Sequence, residues 1–119
     1  MQTKKILIVE DEDLIRSALR EILELEGYTV ASAVNGRDAL QVLKQIEAPS
    51  LILLDLMMPV MNGWEFAKQL HQDQALAAIP IVLVTAYGEG AGGVRAQRLI
   101  KKPVDFDRLL EVVREYCGP

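Results

Sequence analysis

Short aliphatic runs recur along this chain, and segments of helical period separate them. Lys5 to Val9, Leu51 to Leu54 and Ile79 to Val84 consist mostly of Ile, Leu and Val. Runs of this length without polar alternation suit strands covered on both faces. Leu14 to Glu26 instead has apolar residues at Leu14, Ile15, Ala18, Leu19, Ile22, Leu23 and Leu25, a helical spacing. Asp13 is its predicted N-cap and Gly27 its stop. Tyr28 to Ser32 alternates like a shorter, more exposed strand. A second helix opens at Asn35 or Gly36 and runs to about Ile46, where Ala48-Pro49 ends it. A third spans Gly63 to about Gln72, and a last one Asp105 to Tyr116, with Asp105 near its N-cap. Leu99 to Lys101 is a short strand candidate. Such alternation predicts an α/β fold, with a parallel sheet, right-handed crossovers and helices on both faces.

The 119 residues fit a single domain spanning 1–119, and half of them are hydrophobic. Thirteen basic residues against seventeen acidic ones leave a net charge of -4 and no basic stripe for nucleic acid. No apolar run approaches a membrane span. The lone Cys117 excludes an internal disulfide and fits a reducing, cytoplasmic setting. It reads as a half-buried residue of the last helix.

Each buried run leads into polar chemistry. The first ends in Glu10-Asp11-Glu12-Asp13, the third in Asp55, and the fourth in Thr85-Ala86. In a parallel sheet these ends share one edge, where open α/β sheets place their ligands. Glu10, Asp11 and Asp55 would lie within a few ångströms of one another if the first and third strands are neighbours. Carboxylates that close raise each other's pKa unless a cation joins them, and Mg²⁺ is the expected one, with Mn²⁺ as an alternative. Glu12 and Asp13 read as ordinary helix-start acids. Lys102, held extended before Pro103, is aimed across the same edge as a fixed cation. Acids, a hydroxyl and an ammonium together suit phosphoryl chemistry with a carboxylate nucleophile.

The ordered set Ile8-Val9-Glu10-Asp11, Asp55-Leu-Met-Met-Pro59 with Gly63, Val84-Thr85-Ala86 and Lys102-Pro103 resembles a two-component response-regulator receiver domain over essentially the full length. The resemblance implies a flavodoxin-like, doubly wound, five-stranded parallel sheet of order 2-1-3-4-5. It implies that Asp55 accepts a phosphoryl group from a histidine kinase or phosphotransfer protein. Asp11, Asp55 and the Met57 backbone carbonyl would hold Mg²⁺, with Glu10 helping through water. Lys102 would pair with the phosphoryl oxygens, and Thr85 would turn its hydroxyl to them. Ala86 leaves room for the group. A downstream protein target, not named by the sequence, would read the change. No independent substrate is turned over.

The segment between Thr85 and Lys102 departs from that pattern. It is about one helical turn short, and Gly88-Glu-Gly90-Ala-Gly92-Gly93 cannot form a stable helix interior. The helix preceding the fifth strand is therefore expected to be short or irregular, with a turn or two over Val94 to Arg98. Leu99 stands where an aromatic switch residue is usual, and Tyr87 is an exposed loop residue rather than its substitute. The literal Gly88-x-Gly90-x-x-Gly93 pattern lacks the long helix and first-strand context of a dinucleotide site. Dimerisation through this face is unfavoured, so a monomer is expected, with at most a weak dimer. His71 reads as solvent-facing, and Trp64 as partly buried near the active loop. The competing readings are a phosphorylation-independent interaction domain and a small hydrolase with an Asp55 nucleophile. The hydrolase needs a second acid two residues on, and position 57 is methionine.

Overall fold

The computed structural model describes residues 4–86 and 94–118. In chain order the elements are β1 (Lys5–Val9), α1 (Asp13–Leu25), β2 (Thr29–Ala33), α2 (Gly36–Leu43), β3 (Leu51–Leu54), α3 (Gly63–Gln72), β4 (Ile81–Thr85), β5 (Arg98–Lys101) and α4 (Phe106–Cys117). The five strands form one parallel sheet of order β2-β1-β3-β4-β5. This is the doubly wound, flavodoxin-like order, with β1 and β3 side by side.

Strand alternation sorts the core into two layers. Ile6, Ile8, Leu51, Leu53, Val82 and Val84 face one way and pack with Leu19 and Leu23 of α1 and Leu109, Val112 and Val113 of α4. Leu7, Val9, Ile52, Leu54, Ile81 and Leu83 face the other way, onto Ala39 and Leu43 of α2 and Phe66, Ala67 and Leu70 of α3. Cys117 is buried in the first layer, and burial pushes its thiol up to about 11, so it carries no thiolate at neutral pH.

Several boundaries differ from the sequence expectation, each for a local reason. The N-cap of α1 is Glu12, without a side-chain cap; Asp13 is the first helical residue and its carboxylate pairs with Arg16. α2 stops at Leu43 because the amides of Lys44 and Gln45 turn back to the carbonyls of Gln41 and Val42. β4 begins at Ile81, since Pro80 has no N–H to give the ladder. Val94 to Gln97 form no helix, and Arg98 already belongs to β5. There Gln97 donates its amide to the Ile81 carbonyl at 2.8 Å, and its side-chain oxygen accepts from the Ile81 amide at 2.7 Å. Those bonds draw the chain into the sheet, while Val94 and Ala96 pack on the α2–α3 layer. Tyr87 and the Gly88-x-Gly90-x-x-Gly93 pattern lie outside the described residues.

The β3–α3 loop is built around close backbone approaches. Asn62 caps α3 in a reciprocal capping box with Glu65. Val60 has φ of 68°, an unusual setting for a β-branched residue. It is held there by the Met61 amide on the Pro59 carbonyl at 2.7 Å and the Gly36 amide on the Met61 carbonyl at 2.8 Å. A Cβ on Gly63 would lie 2.5 Å from the Asp55 carbonyl oxygen and 2.8 Å from Leu56 Cα. Both neighbours are backbone and cannot swing aside. Gly63→Ala is expected to cost about 1–3 kcal/mol, read as a lower urea midpoint.

Candidate functional site

The β1 and β3 ends are locked in register before their side chains matter. The Glu10 amide donates to the Ala33 carbonyl and the Asp55 amide to the Val9 carbonyl, each at 3.0 Å. Glu10, Asp11 and Asp55 therefore meet at one edge, with one oxygen of each within 4.8 Å of the others. Glu10 is 2 % exposed and Asp55 4 %, so water screens neither well.

Lys102 answers this charge. Its amide donates to the Thr85 carbonyl at 2.9 Å, which carries it past the end of β5 onto the same edge. The Lys102–Pro103 peptide is cis. Lys102 Nζ lies 2.6 Å from Glu10 Oε1, 3.4 Å from Asp55 Oδ2 and 3.6 Å from Glu12 Oε1. Burial lowers the ammonium's pKa, but the close approach and charge of Glu10, with the charges of Asp55 and Glu12, outweigh it and leave the pKa raised. Burial pushes Glu10 up to about 7, with the Asp55 charge adding to the rise. Lys102 and the Glu12 amide, which donates to Glu10 Oε2 at 3.2 Å, pull it partly back. Despite its closeness to Lys102, Glu10 Oε1 makes no hydrogen bond with acceptable angles. An ion pair without a well-directed bond leaves that buried oxygen under-coordinated.

This donor set fits a hard divalent cation: carboxylate oxygens, clustered and incompletely satisfied. Thr85 is fully buried at the end of β4, on the same edge. Met57, two residues after Asp55, has an exposed side chain. Leu99 is 39 % exposed and pairs with Leu83 in the β4–β5 ladder. Trp64, half-buried in the first turn of α3, packs on the α2–α3 layer.

Three positions differ from their sequence reading. Glu12 reaches Lys102 rather than serving only the helix start. His71 is half-buried rather than solvent-facing, and burial with the nearby Arg95 charge holds its imidazole below the usual value. Arg16 drew no attention in the sequence, yet it bonds the backbone of the acidic loop. Its only sequence signal was a base three residues after Asp13 on a helix start.

Fold and site together define a doubly wound α/β protein whose strand edge gathers three acids that could hold a cation, with a buried lysine beside them. The profile of the response regulator receiver domain matches residues 6–114, and the chain belongs to that family. It is 32% identical to the polar-differentiation response regulator DivK of Brucella ovis, over 98% of this chain and 98% of the relative. It is 33% identical to the response regulator TrrA of Thermotoga maritima, solved in complex with Mg²⁺-BeF, with a TM-score of 0.83 over 96% of this chain and 99% of that one. The receiver domain of a signal transduction histidine kinase from Syntrophus aciditrophicus is 30% identical, with a TM-score of 0.88 over 98% of this chain and 91% of that one. The chain is thus a receiver domain of two-component signalling, a signalling module rather than a stand-alone enzyme. Among the described residues no helix is long and apolar enough to cross a membrane.

The raised Glu10 value has a pH consequence. Below 4.5 both folded and unfolded chains hold the Glu10 proton; between there and about 7 only the folded chain does. Metal-free stability therefore falls as pH rises through that window, and the full penalty stands above it. His71 works oppositely, since its folded value is lowered. Urea midpoints in EDTA should show the Glu10 contribution as the difference in pH slope between wild type and Glu10→Gln. Added Mg²⁺ should bind more tightly as pH rises toward 7.

Proposed function

We propose that the chain is one receiver unit over 1–119 and that Asp55 is its phosphoacceptor. The observation that carries this is the buried meeting of Asp55 with Lys102, Glu10 and Asp11 at one strand edge. Asp11, Asp55 and the Met57 backbone carbonyl would hold Mg²⁺, with Glu10 contributing through water. The metal, or Mn²⁺ in its place, would neutralise charge on the transferring oxygens.

The protein's own residues do the rest. An Asp55 carboxylate oxygen attacks phosphorus, the bond from phosphorus to the donor nitrogen breaks, and an acyl phosphate forms on Asp55. The donor is a histidine kinase or phosphotransfer protein bearing phosphohistidine. An apolar groove of Leu14, Ile15, Ala18, Pro103, Val104 and Phe106 opens beside Lys102, and Leu14 is 86% exposed, so a partner helix has a surface next to the reacting carboxylate. Lys102 already sits 3.4 Å from Asp55, and its ammonium shifts to pair with the new phosphoryl oxygens. The Thr85 hydroxyl completes their coordination, and Ala86 beside it is small. That differential binding shifts the population toward one arrangement of the β4–β5 edge, which a downstream protein target reads. A receiver signalling without phosphorylation is not favoured, because burying this much charge serves no packing purpose.

Incubation with Mg²⁺ and acetyl phosphate should add one phosphoryl group by intact mass, lost in Asp55→Asn. Added mass that survives this substitution would exclude Asp55 as the acceptor. Lys102→Met should still bind Mg²⁺, since it removes no ligand and relieves cation repulsion. The change in Trp64 fluorescence on adding beryllofluoride should be largely abolished in that variant.

A further inference from the structure

We propose that Arg16 is a positioning residue for the cation site, acting through the backbone of the acidic loop rather than by touching the metal or the phosphoryl group. The inference rests on the Mg²⁺ site proposed above. Arg16 lies in the first turns of α1, and its side chain is 19% exposed. One guanidinium nitrogen donates to the Glu10 carbonyl at 3.0 Å and to the Asp11 carbonyl at 3.5 Å. The other pairs with Asp13 Oδ1 at 2.5 Å, which anchors the planar group. The Arg16 amide donates to the Glu12 carbonyl at 2.9 Å, so the base of the side chain is fixed too.

The planarity of the peptide bond carries this grip to the carboxylates. In a trans peptide the C=O and N–H point in opposite directions. The Asp11 carbonyl is drawn toward Arg16, so the Glu12 amide of the same peptide unit points the other way. There it donates to Glu10 Oε2 at 3.2 Å. That bond turns Glu10 so that Oε1 meets Lys102 Nζ at 2.6 Å. The Glu10 carbonyl bond fixes the preceding peptide unit in the same manner, and between the two units hangs the Asp11 side chain. One guanidinium thus sets the aim of two carboxylates that it does not touch.

Charge and geometry predict opposite outcomes, which makes the test decisive. Arg16 is a cation near a cation site, so electrostatics alone says that its removal tightens Mg²⁺ binding. Positioning says that removal weakens it, by about tenfold or more, as loss of groups that orient metal ligands usually does. Arg16→Met should show a Mg²⁺ dissociation constant raised by that factor in calorimetric titration, with its Mg²⁺-induced thermal stabilisation shifted to higher concentration. The Mg²⁺ concentration giving half-maximal phosphorylation by acetyl phosphate should rise in parallel, while the rate at saturating Mg²⁺ returns toward wild type. Arg16→Lys keeps the charge but cannot span two carbonyls and an anchor, so it should fall between the two. It also serves as the test should Arg16→Met fail to fold. Folded variants that bind Mg²⁺ as tightly as wild type, or more tightly, would overturn the role of Arg16 alone. Failure of the wild-type protein to bind Mg²⁺ would instead overturn the reading of the site on which it rests.

Discussion

Lys102 Nζ stands 2.6 Å from one buried carboxylate and 3.4 Å from another, and the rest of the site follows from that shared ammonium. Two acids cut off from water at a strand edge repel each other, and burial holds Glu10 above the usual carboxylate range. A single lysine cannot satisfy both, and its geometry shows this. It takes Glu10 closely, Asp55 loosely, and leaves Glu10 Oε1 without a well-directed bond. Burial is not compensated here as it would be in a structural ion pair. Removing a partner from a buried pair costs on the order of 3–5 kcal/mol, and the partly unsatisfied Glu10 oxygen fits a cluster that could hold a cation.

The sheet makes that frustration unavoidable. β1 and β3 are neighbours, and the Asp55 amide is tied to the Val9 carbonyl, so the acids cannot slide apart. Leu53 and Leu54 below Asp55 face opposite layers of a fully packed core, which prevents a register shift. Beyond β3 the chain turns so tightly that Gly63 lies against the Asp55 carbonyl and Val60 is held at positive φ. Rigidity at both ends of Asp55 preserves a repulsion that a flexible loop would relax, in a cluster that could hold a cation.

Much of this was legible in the sequence because the central strands are purely aliphatic. Leu51 to Leu54 could be read to the residue, and its carboxylate with it. Chain order and strand ends then placed Glu10, Asp11, Thr85 and Lys102 on one edge. Less was legible wherever a distant or competing partner decided the outcome. Gln97 is drawn into the sheet by the Ile81 backbone sixteen residues away, and no local propensity announces that. Asp13 has the composition of an N-cap but is taken by Arg16. Arg16 has no local signal beyond its place three residues after Asp13. Its bonds to backbone carbonyls leave no trace in residue pairing, since a carbonyl is the same at every position.

The unequal grip of Lys102 also bears on how a signal is generated. Under the proposed function, a cation held beside Asp55 would supply charge that Glu10 otherwise draws from Lys102. The ammonium would then be less tightly held, and a phosphoryl group on Asp55 would offer it several oxygens in place of one loose contact. The Lys102 amide is bonded to the Thr85 carbonyl, and Lys101 pairs with Thr85 in the β4–β5 ladder. A change in where the Lys102 side chain is held is therefore applied directly to the edge strand of the sheet. β5 is the least buried strand, with Ile100 its one buried residue, so it offers the least packing resistance to such a load. The stiff side of the site holds the carboxylates still, and the compliant side carries the lysine. In the proposed function, that asymmetry would let a local exchange of charge partners become a movement at the surface.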